Sequence, residues 1–226
     1  LPKMMPPVMA VITLGWTLGA CFSDADVPVD PEDEICLDYD DQVGVARDVV
    51  VRNGGDTTIY LASDNCHPEV RPDLVRDDER LVTGSFGCLQ SCKERQTTPT
   101  RDCSAACPLP TVIAIPPGQE YRMPWSGTHR VPREMPEACY FEASAASCQQ
   151  EVAAEPGRYR AEIAVYERSD LECGNVDCSC EGPEVCTFFD PGVRRDGVVY
   201  DVDFEHPQSG DVVIEVAGAV EGEGAP

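Results

Sequence analysis

This chain of 226 residues carries 41 Asp and Glu against 17 Lys and Arg, which gives a formal charge of −24 at pH 7. Such a charge argues against nucleic acid as a partner, because a phosphate backbone attracts the opposite sign. It also argues against adsorption onto anionic lipid headgroups. The chain contains 13 cysteines, and this cysteine content is typical of a disulfide-bonded protein outside the cytoplasm.

Residues 1–20 have the layout of a signal peptide. Lys3 precedes an apolar run from about Val8 to Trp16, which is shorter than the ~20 apolar residues of a transmembrane helix. The run leads to Leu18-Gly19-Ala20-Cys21, which resembles the lipobox of bacterial lipoproteins. The resemblance implies cleavage before Cys21, a diacylglyceryl thioether on its sulfur and an acylated new N-terminus, with palmitate as the type of acyl chain. A plain secretory signal with an incidental cysteine is the alternative.

Residues 21–35 are predicted to form an acidic tether behind the lipid. Asp, Glu and Pro dominate this segment, and such a composition buries too little apolar surface to order itself. A calcium loop is the alternative, but the spacing lacks the Gly-centred pattern of an EF-hand. Phe22 stands where an Asp would resemble an inner-membrane retention signal. The expected location is therefore the outer membrane of the cell envelope, facing the periplasm or the cell surface.

The folded domain is predicted over residues 36–217 and a disordered tail over 218–226. Asn53-Gly54-Gly55-Asp56 is a strong turn signal, because Asn and Gly tolerate positive φ. It is expected to join the first two strands as a hairpin. The strands predicted in this part of the chain lie at 45–51, 57–61 and 81–86.

The segment 88–107 is predicted to be a disulfide-rich insertion. Cys88 and Cys92 form one C-x3-C unit, and Cys103 and Cys107 form a second. Because positions i and i+4 share one face of a helix, a small helical hairpin stapled by Cys88–Cys107 and Cys92–Cys103 is expected. A four-cysteine zinc site is the alternative, although zinc knuckles usually use C-x2-C and the compartment is oxidising.

Apolar and polar residues alternate along the rest of the chain, which indicates strands with one buried face. The pattern is clearest at 159–166, and Trp125 is expected in the core. The last two strands are expected to form a hairpin through 206–211. A second cysteine-rich insertion at 173–186 has no periodicity and is predicted to be a disulfide-knotted loop. The further strands predicted lie at 111–115, 119–125, 159–166, 198–204 and 212–216.

These short strands, separated by turn residues, predict a mainly β fold: an antiparallel β-sandwich with disulfide-rich insertions. A strand running into Asn53-Gly54-Gly55, then Pro117 to Tyr121 before Trp125, then Pro156 to Tyr159, is similar to the immunoglobulin-like intracellular proteinase inhibitor family. The resemblance covers about residues 43–167. It implies an immunoglobulin-like sandwich, and no functional residue is transferred with it.

Cys21 is assigned to the lipid, which leaves an even number of cysteines for as many as six disulfides. Beyond the two pairs suggested by helical spacing, their connectivity is open. These disulfide candidates are Cys36, Cys66, Cys88, Cys92, Cys103, Cys107, Cys139, Cys148, Cys173, Cys178, Cys180 and Cys186.

No catalytic constellation is recognised. The chain lacks H-E-x-x-H, G-x-S-x-G, Walker A and G-x-G-x-x-G motifs. Its three histidines, His67, His129 and His206, are each predicted to be solvated loop residues. A copper site built from His129, Met135 and Cys139 would have suitable ligand types and is kept as an alternative.

Asp201, Asp203 and Glu205 alternate on one face of a predicted strand. Such carboxylates could assemble a calcium site, but the preferred interpretation is the wet face of an edge strand, where charge blocks pairing with other sheets. The chain is therefore predicted to be a non-enzymatic envelope lipoprotein without a cofactor. Its lipid contacts the membrane, and its domain is an interaction or structural module for an unidentified envelope or extracellular protein. A lipoprotein that binds calcium, zinc, copper or a small ligand is the alternative.

Overall fold

The computed structural model describes residues 35–63, 69–84, 90–100, 110–142, 147–173, 178–180, 182–189, 192–193 and 197–217. These ranges all lie in one compact unit, Pro31–Pro226, and they are mainly β, as predicted. Among them, no helix has the length and apolar character that crossing a membrane requires.

The strands up to the middle of the chain are β1 (Arg47–Asn53), β2 (Ile59–Ala62), β3 (Asp73–Arg76), β4 (Glu79–Leu81), β5 (Thr111–Ile115), β6 (Glu120–Trp125) and β7 (Thr128–Arg133). The later strands are β8 (Cys148–Ala153), β9 (Gly157–Tyr166), β10 (Leu171–Glu172), β11 (Cys186–Phe189), β12 (Gly192–Val193), β13 (Val198–His206) and β14 (Val212–Val216). Helix α1 spans Cys92–Thr97, and 3-10 turns lie at Glu137–Cys139 and Arg168–Asp170.

Two larger sheets organise these strands. The first has the order β14-β1-β6, and the second has the order β11-β5-β2-β9-β3-β4, with β13 on the opposite side of β9 from β2 and β3. Strands β7 and β8 form a separate antiparallel pair, as do β10 and β12. Of the strand pairs in the described ranges, β1 with β14 runs parallel and the others are antiparallel.

The main core lies between the two larger sheets. Along β9, Tyr159, Ala161, Ile163 and Val165 are buried while their neighbours in sequence are more exposed, so the predicted alternation is confirmed. Trp125 of β6 is also buried, and its indole N–H donates to the backbone oxygen of Thr128 at 2.8 Å. Burial of these side chains is the main favourable contribution to folding, at about 25 cal/mol per Å² of apolar surface.

The predicted hairpin between the first two strands is wrong, because β1 and β2 belong to different sheets. The chain crosses between the sheets just after Asn53, which is completely buried. Its side-chain Nδ2 donates to the backbone oxygens of Thr57 and Ile115, each at 2.8 Å, and its Oδ1 accepts from the Gly55 N–H at 3.0 Å. The turn residues therefore build a corner between sheets.

The predicted C-terminal hairpin is wrong for the same reason. β13 pairs with β9 in the large sheet, whereas β14 pairs with β1 in the small one. Arg47 holds the connection between them, because its guanidinium donates to the backbone oxygens of Glu205, Gln208 and Gly210 at 3.0, 2.5 and 3.0 Å.

Two antiparallel pairs were missed by the sequence patterns. The β3–β4 pair turns at Asp77-Asp78, which have φ of 51° and 63°, so both residues take the positive φ of a tight hairpin turn. The second missed pair is β7–β8. Pro132 lies within β7, and a proline argues against a strand in the sequence because it cannot donate a backbone hydrogen bond. The strand predicted at 81–86 is instead the end of β4, which stops at Leu81, and residues 85–89 lie outside the described ranges.

Candidate functional site

Disulfides hold the domain together, as predicted. Eight of the candidate cysteines lie in described ranges, and they pair as Cys36–Cys139, Cys92–Cys148, Cys173–Cys178 and Cys180–Cys186. The remaining candidates, Cys66, Cys88, Cys103 and Cys107, lie outside the described residues, as do Cys21 and the Cys88–Cys107 pairing.

The predicted pairing of Cys92 with Cys103 is wrong, because Cys92 bonds to Cys148 at the start of β8. Helix α1 begins at Cys92, so the first helix of the expected hairpin is present in part, and the second falls outside the described residues. A sulfur in a disulfide is not a thiolate ligand. The zinc alternative, which needed Cys92, and the copper alternative, which needed Cys139, are therefore both contradicted.

The segment that follows the predicted tether is attached firmly to the domain. Cys36 is cross-linked to Cys139 across a sequence separation of 103 residues. The Gln150 side-chain amide on β8 donates to the backbone oxygens of Asp38 and Asp40, at 2.8 and 3.0 Å. Gln150 is only 2% exposed, so the donor of these part-buried hydrogen bonds has little access to water. The two bonds fix the path of the chain.

A small apolar cluster lies beneath this attachment. Three cysteines and a methionine are its buried members: Cys92, Cys139, Cys148 and Met135. Three partly buried residues pack against them: Cys36, Tyr39 and Tyr140. An ion pair between Lys93 and Asp40, at 2.8 Å, joins helix α1 to the same segment. We call residues 36–42 with this cluster the anchor segment.

Strand β13 carries the predicted row of carboxylates. Asp201, Asp203 and Glu205 are all exposed, while Tyr200 and Phe204 on the other face pack against the core. Among the described residues, β13 pairs with β9 alone, so the interpretation as the wet face of an edge strand is confirmed. Asp203 forms an ion pair with Arg158 of β9 at 2.6 Å. The described ranges contain no group of three His, Cys, Asp or Glu side chains that could hold a metal ion.

The backbone of β13 offers hydrogen-bonding groups along its open side. The Glu205 oxygen accepts from the Arg47 guanidinium and from the Gln208 N–H, at 3.0 and 3.3 Å, so this carbonyl does not bond to β9. Backbone groups in a strand point alternately to either side. Val199, Asp201 and Asp203 therefore direct their N–H and C=O groups to the same open side as Glu205.

The first residues of β13 add apolar surface to this edge. Val198 is 65% exposed and Val199 is 58% exposed. Two adjacent valines that point to opposite faces of the sheet leave the beginning of the edge strand uncovered on both faces. We call the stretch Val198–Asp203, together with the carboxylate row of Asp201, Asp203 and Glu205, the open edge.

A groove of about 300 Å³ lies on the other side of β9, beside the β3–β4 hairpin. Its lining includes Arg71 and Arg80, and both guanidinium groups contact carboxylates. Arg71 pairs with Glu69, and Arg80 lies 3.3 Å from Asp73 and 3.9 Å from Glu162. The groove thus presents charges of both signs.

The predictions for two histidines are wrong. His129 lies within β7, where burial and the charge of Arg76 lower its pKa. His206 ends β13 and is 4% exposed, with its ring centroid 5.0 Å from that of Trp125. Burial and the nearby charge of Arg47 lower the pKa of His206, so the fold favours the neutral imidazole at both positions. His67 lies outside the described residues.

Sequence reasoning found the carboxylate row of β13 but missed the anchor segment and the groove. The anchor segment is recognised from the burial of Gln150 and the pairing of Cys36 with Cys139. Both join residues that are far apart in the sequence, so no local sequence pattern predicts them. Comparison of the chain with protein-family models, with curated proteins and with solved structures finds no match. The resemblances to lipoproteins and to the immunoglobulin-like inhibitor family therefore remain predictions.

Proposed function

We propose that this protein is a lipoprotein of the cell envelope, held in the membrane by lipid on Cys21, whose β domain is a non-enzymatic interaction module. The lipobox-like residues Leu18 to Cys21 and the acidic segment behind them support the anchoring. Disulfides are typical of compartments outside the cytoplasm, which agrees with export.

The observation that carries the proposal is the anchor segment. A domain tethered through its N-terminus experiences any pull from the membrane at the first folded residues. Here the first described residues are bonded covalently through Cys36–Cys139 and hydrogen-bonded to the buried Gln150. A pull on residue 36 is thus transmitted to residue 139 through a covalent bond, instead of peeling the first residues from the domain.

Two measurements test the anchoring. Growth with a labelled fatty acid should label the wild-type protein, and fractionation should place it with the outer membrane. Cys21→Ser should carry no label and should be released from the membrane, because its oxygen cannot form the thioether. Absence of label on the wild type, or label retained in Cys21→Ser, would end the lipoprotein proposal.

A second variant tests the anchor segment itself. In Cys36→Ala/Cys139→Ala the domain should keep its fold, while limited proteolysis should cleave the segment before residue 47 much faster than in the wild type. Cys173→Ala/Cys178→Ala is the matched control, since it removes a disulfide far along the chain. Equal cleavage in the two variants would show that Cys36–Cys139 does not hold this segment.

The groove beside β3–β4 supports a second candidate function, binding of a small charged ligand. Arginine and carboxylate groups lie together there, and a free amino acid carries both complementary charges. Isothermal titration with a panel of free amino acids tests this function. A binding signal that Arg80→Ala abolishes would support it, whereas no heat at millimolar concentrations would exclude it for this ligand class.

A further inference from the structure

The open edge has the length that strand addition needs. β13 pairs with β9 over nine residues, and Arg47 covers only the end of β13 at Glu205. Within the described ranges no other strand takes up the backbone groups of Val199, Asp201 and Asp203, and each of these residues offers a visiting strand one donor and one acceptor. Peptides commonly bind proteins by adding a strand to an edge of this kind.

The charges of the open edge restrict which strand can bind. Side chains directly opposite each other on paired strands lie about 5 Å apart at Cβ. A strand added beside β13 would place its solvent-facing side chains near Asp201, Asp203 and Glu205. Arg158 forms an ion pair with Asp203 and also interacts electrostatically with Glu205. One arginine against three carboxylates leaves the row with a negative charge.

Three kinds of occupant can be compared by charge. A second copy of the chain, paired through β13 in antiparallel register, would set its carboxylates against the same carboxylates, and like charges directly opposite are destabilising. The chain's own residues 22–34 hold six Asp and Glu and no Lys or Arg, and the tail 218–226 holds Glu221 and Glu223. Both are repelled for the same reason. An extended segment with Lys or Arg at alternate positions is the occupant that these charges favour.

We propose that the open edge binds an extended, basic segment of a partner protein by antiparallel strand addition at β13. This inference rests on the proposed function, since it names the partner class of the interaction module. The carboxylate row then has two effects, because it discourages self-association and selects oppositely charged strands.

A defined probe tests the inference on the exported protein in detergent solution. The probe is a fluorescent eight-residue peptide in which Lys alternates with Val or Thr. Fluorescence anisotropy should show saturable binding that weakens as salt rises, because exposed charges are screened. A peptide with Glu in place of Lys should not bind. The Lys peptide with methylated amides on its bonding side should also fail, since it lacks the backbone donors.

Charge variants show whether peptide binding depends on the carboxylates of the open edge or only on the overall negative charge of the protein. Asp201→Asn/Asp203→Asn/Glu205→Gln should weaken binding of the Lys peptide about tenfold, because three exposed ion pairs with the peptide, each weak on its own, are lost together. The matched control neutralises three acidic residues on the face of the small sheet: Asp48→Asn/Asp211→Asn/Glu215→Gln. It has the same net charge and should bind within about twofold of the wild type. Equal weakening in both triple variants would overturn the proposal.

Backbone pairing has its own readout. In the wild-type protein, hydrogen exchange at the amides of Val199, Asp201 and Asp203 should slow at least tenfold when the Lys peptide binds. Asp201→Pro removes one of these donors without breaking a bond to β9, and its affinity should fall, with Trp125 fluorescence confirming that the core is intact. Binding without amide protection would mean charge attraction alone and would refute strand addition. No binding at all would also refute it, while lipid labelling at Cys21 would still stand as the separate test of the proposed function.

Discussion

Replacement of Asn53 by alanine should lower the free energy of unfolding, because Asn53 holds the corner where the chain crosses between the two sheets. The asparagine is completely buried, and its amide donates to the backbone oxygens of Thr57 and Ile115 while accepting from the Gly55 N–H. Alanine removes all three bonds and supplies no replacement. The two carbonyl groups and the amide would keep their positions because the flanking strands hold them.

The expected loss follows from the burial of each orphaned group. The Ile115 oxygen is buried, and leaving such a group without a partner costs about 1–3 kcal/mol. The bonds to Thr57 and Gly55 are partly buried, where water partly replaces the lost partner, so about 0.5–1 kcal/mol each is expected. The total of about 2–5 kcal/mol is a large part of the ~5–15 kcal/mol that stabilises a typical domain. It corresponds to a fall of about 10 °C in Tm.

Urea unfolding followed by Trp125 fluorescence measures this loss, with Arg52→Ala as an exposed control that should change stability by less than about 1 kcal/mol. Asn53→Asp gives a sharper test. Its shape matches asparagine, but a carboxylate cannot donate to the two carbonyl groups, so at pH 7 it should be at least as destabilising as alanine. Protonation at low pH restores one donor, and part of the loss relative to wild type should then be recovered. A cost below 1 kcal/mol for both variants would refute the assignment of Asn53 as the corner.

Three further predictions concern pH, a disulfide and the β13–β14 connection. The fold lowers the pKa of His206. The stability that depends on neutral His206 is therefore complete above the unfolded pKa of about 6.5 and is lost as the pH falls below it, by at most about 1.4 kcal/mol per pH unit. NMR titration should find a lower pKa for His206 in the folded protein than in the urea-unfolded chain. Cys92→Ala/Cys148→Ala should cost about 4 kcal/mol, the value for a loop of this length, measured by urea unfolding. Arg47→Ala should cost about 1–2 kcal/mol and speed hydrogen exchange in residues 208–211, since three carbonyl groups lose their donor.

Each of these predictions has a matched comparison. A His206 pKa at or above that of the unfolded chain would contradict its burial against Trp125. The Cys173–Cys178 disulfide spans a sequence separation of only five residues, so its removal in Cys173→Ala/Cys178→Ala should cost only about 2 kcal/mol. Equal costs for loss of the two disulfides would argue against the loop-closure account. If Arg47→Ala leaves exchange in the connection unchanged, its hydrogen bonds there do not hold the chain.

Strand positions were predictable because side-chain alternation is a local property. The prediction at 111–115 matches β5, and the strand predicted at 159–166 lies within β9, which begins two residues earlier. Burial of alternate residues along β9 depends only on which residues are apolar, and the sequence displays this directly. The predicted exposure of Asp201, Asp203 and Glu205 held for the same reason.

Strand partners were not predictable, because a turn sequence permits a hairpin but also permits a corner. Asn53-Gly54-Gly55 satisfies the φ requirements of both, and the buried bonds from Asn53 to Thr57 and Ile115 select the corner. The acceptor on Ile115 lies 62 residues away in sequence, so no local pattern contains it. The C-terminal strands behave in the same way, since β14 finds its partner in β1.

Cysteine pairing also depends on contacts between residues that are far apart in the sequence. Helical spacing suggested that Cys92 faces Cys103, but the helix begins at Cys92 and brings this residue to β8 and Cys148. The burial of His206 likewise follows from the return of β13 to β9, which places the end of β13 against Trp125. The residues next to His206 in the sequence predicted a solvated loop, because they contain no information about its contact with Trp125.

The sequence by itself determined the mainly β class, the faces of its clearest strands, the acidic character of the surface and the oxidised state expected of its cysteines. These properties depend on composition and on neighbours within a few residues. The tertiary structure alone decided which strands pair, which cysteines bond, where the anchor segment is held and that β13 pairs on one side only within the described part of the chain. Those outcomes depend on contacts between residues far apart in the chain, and their relative energies are set only when the two sheets close on a common core.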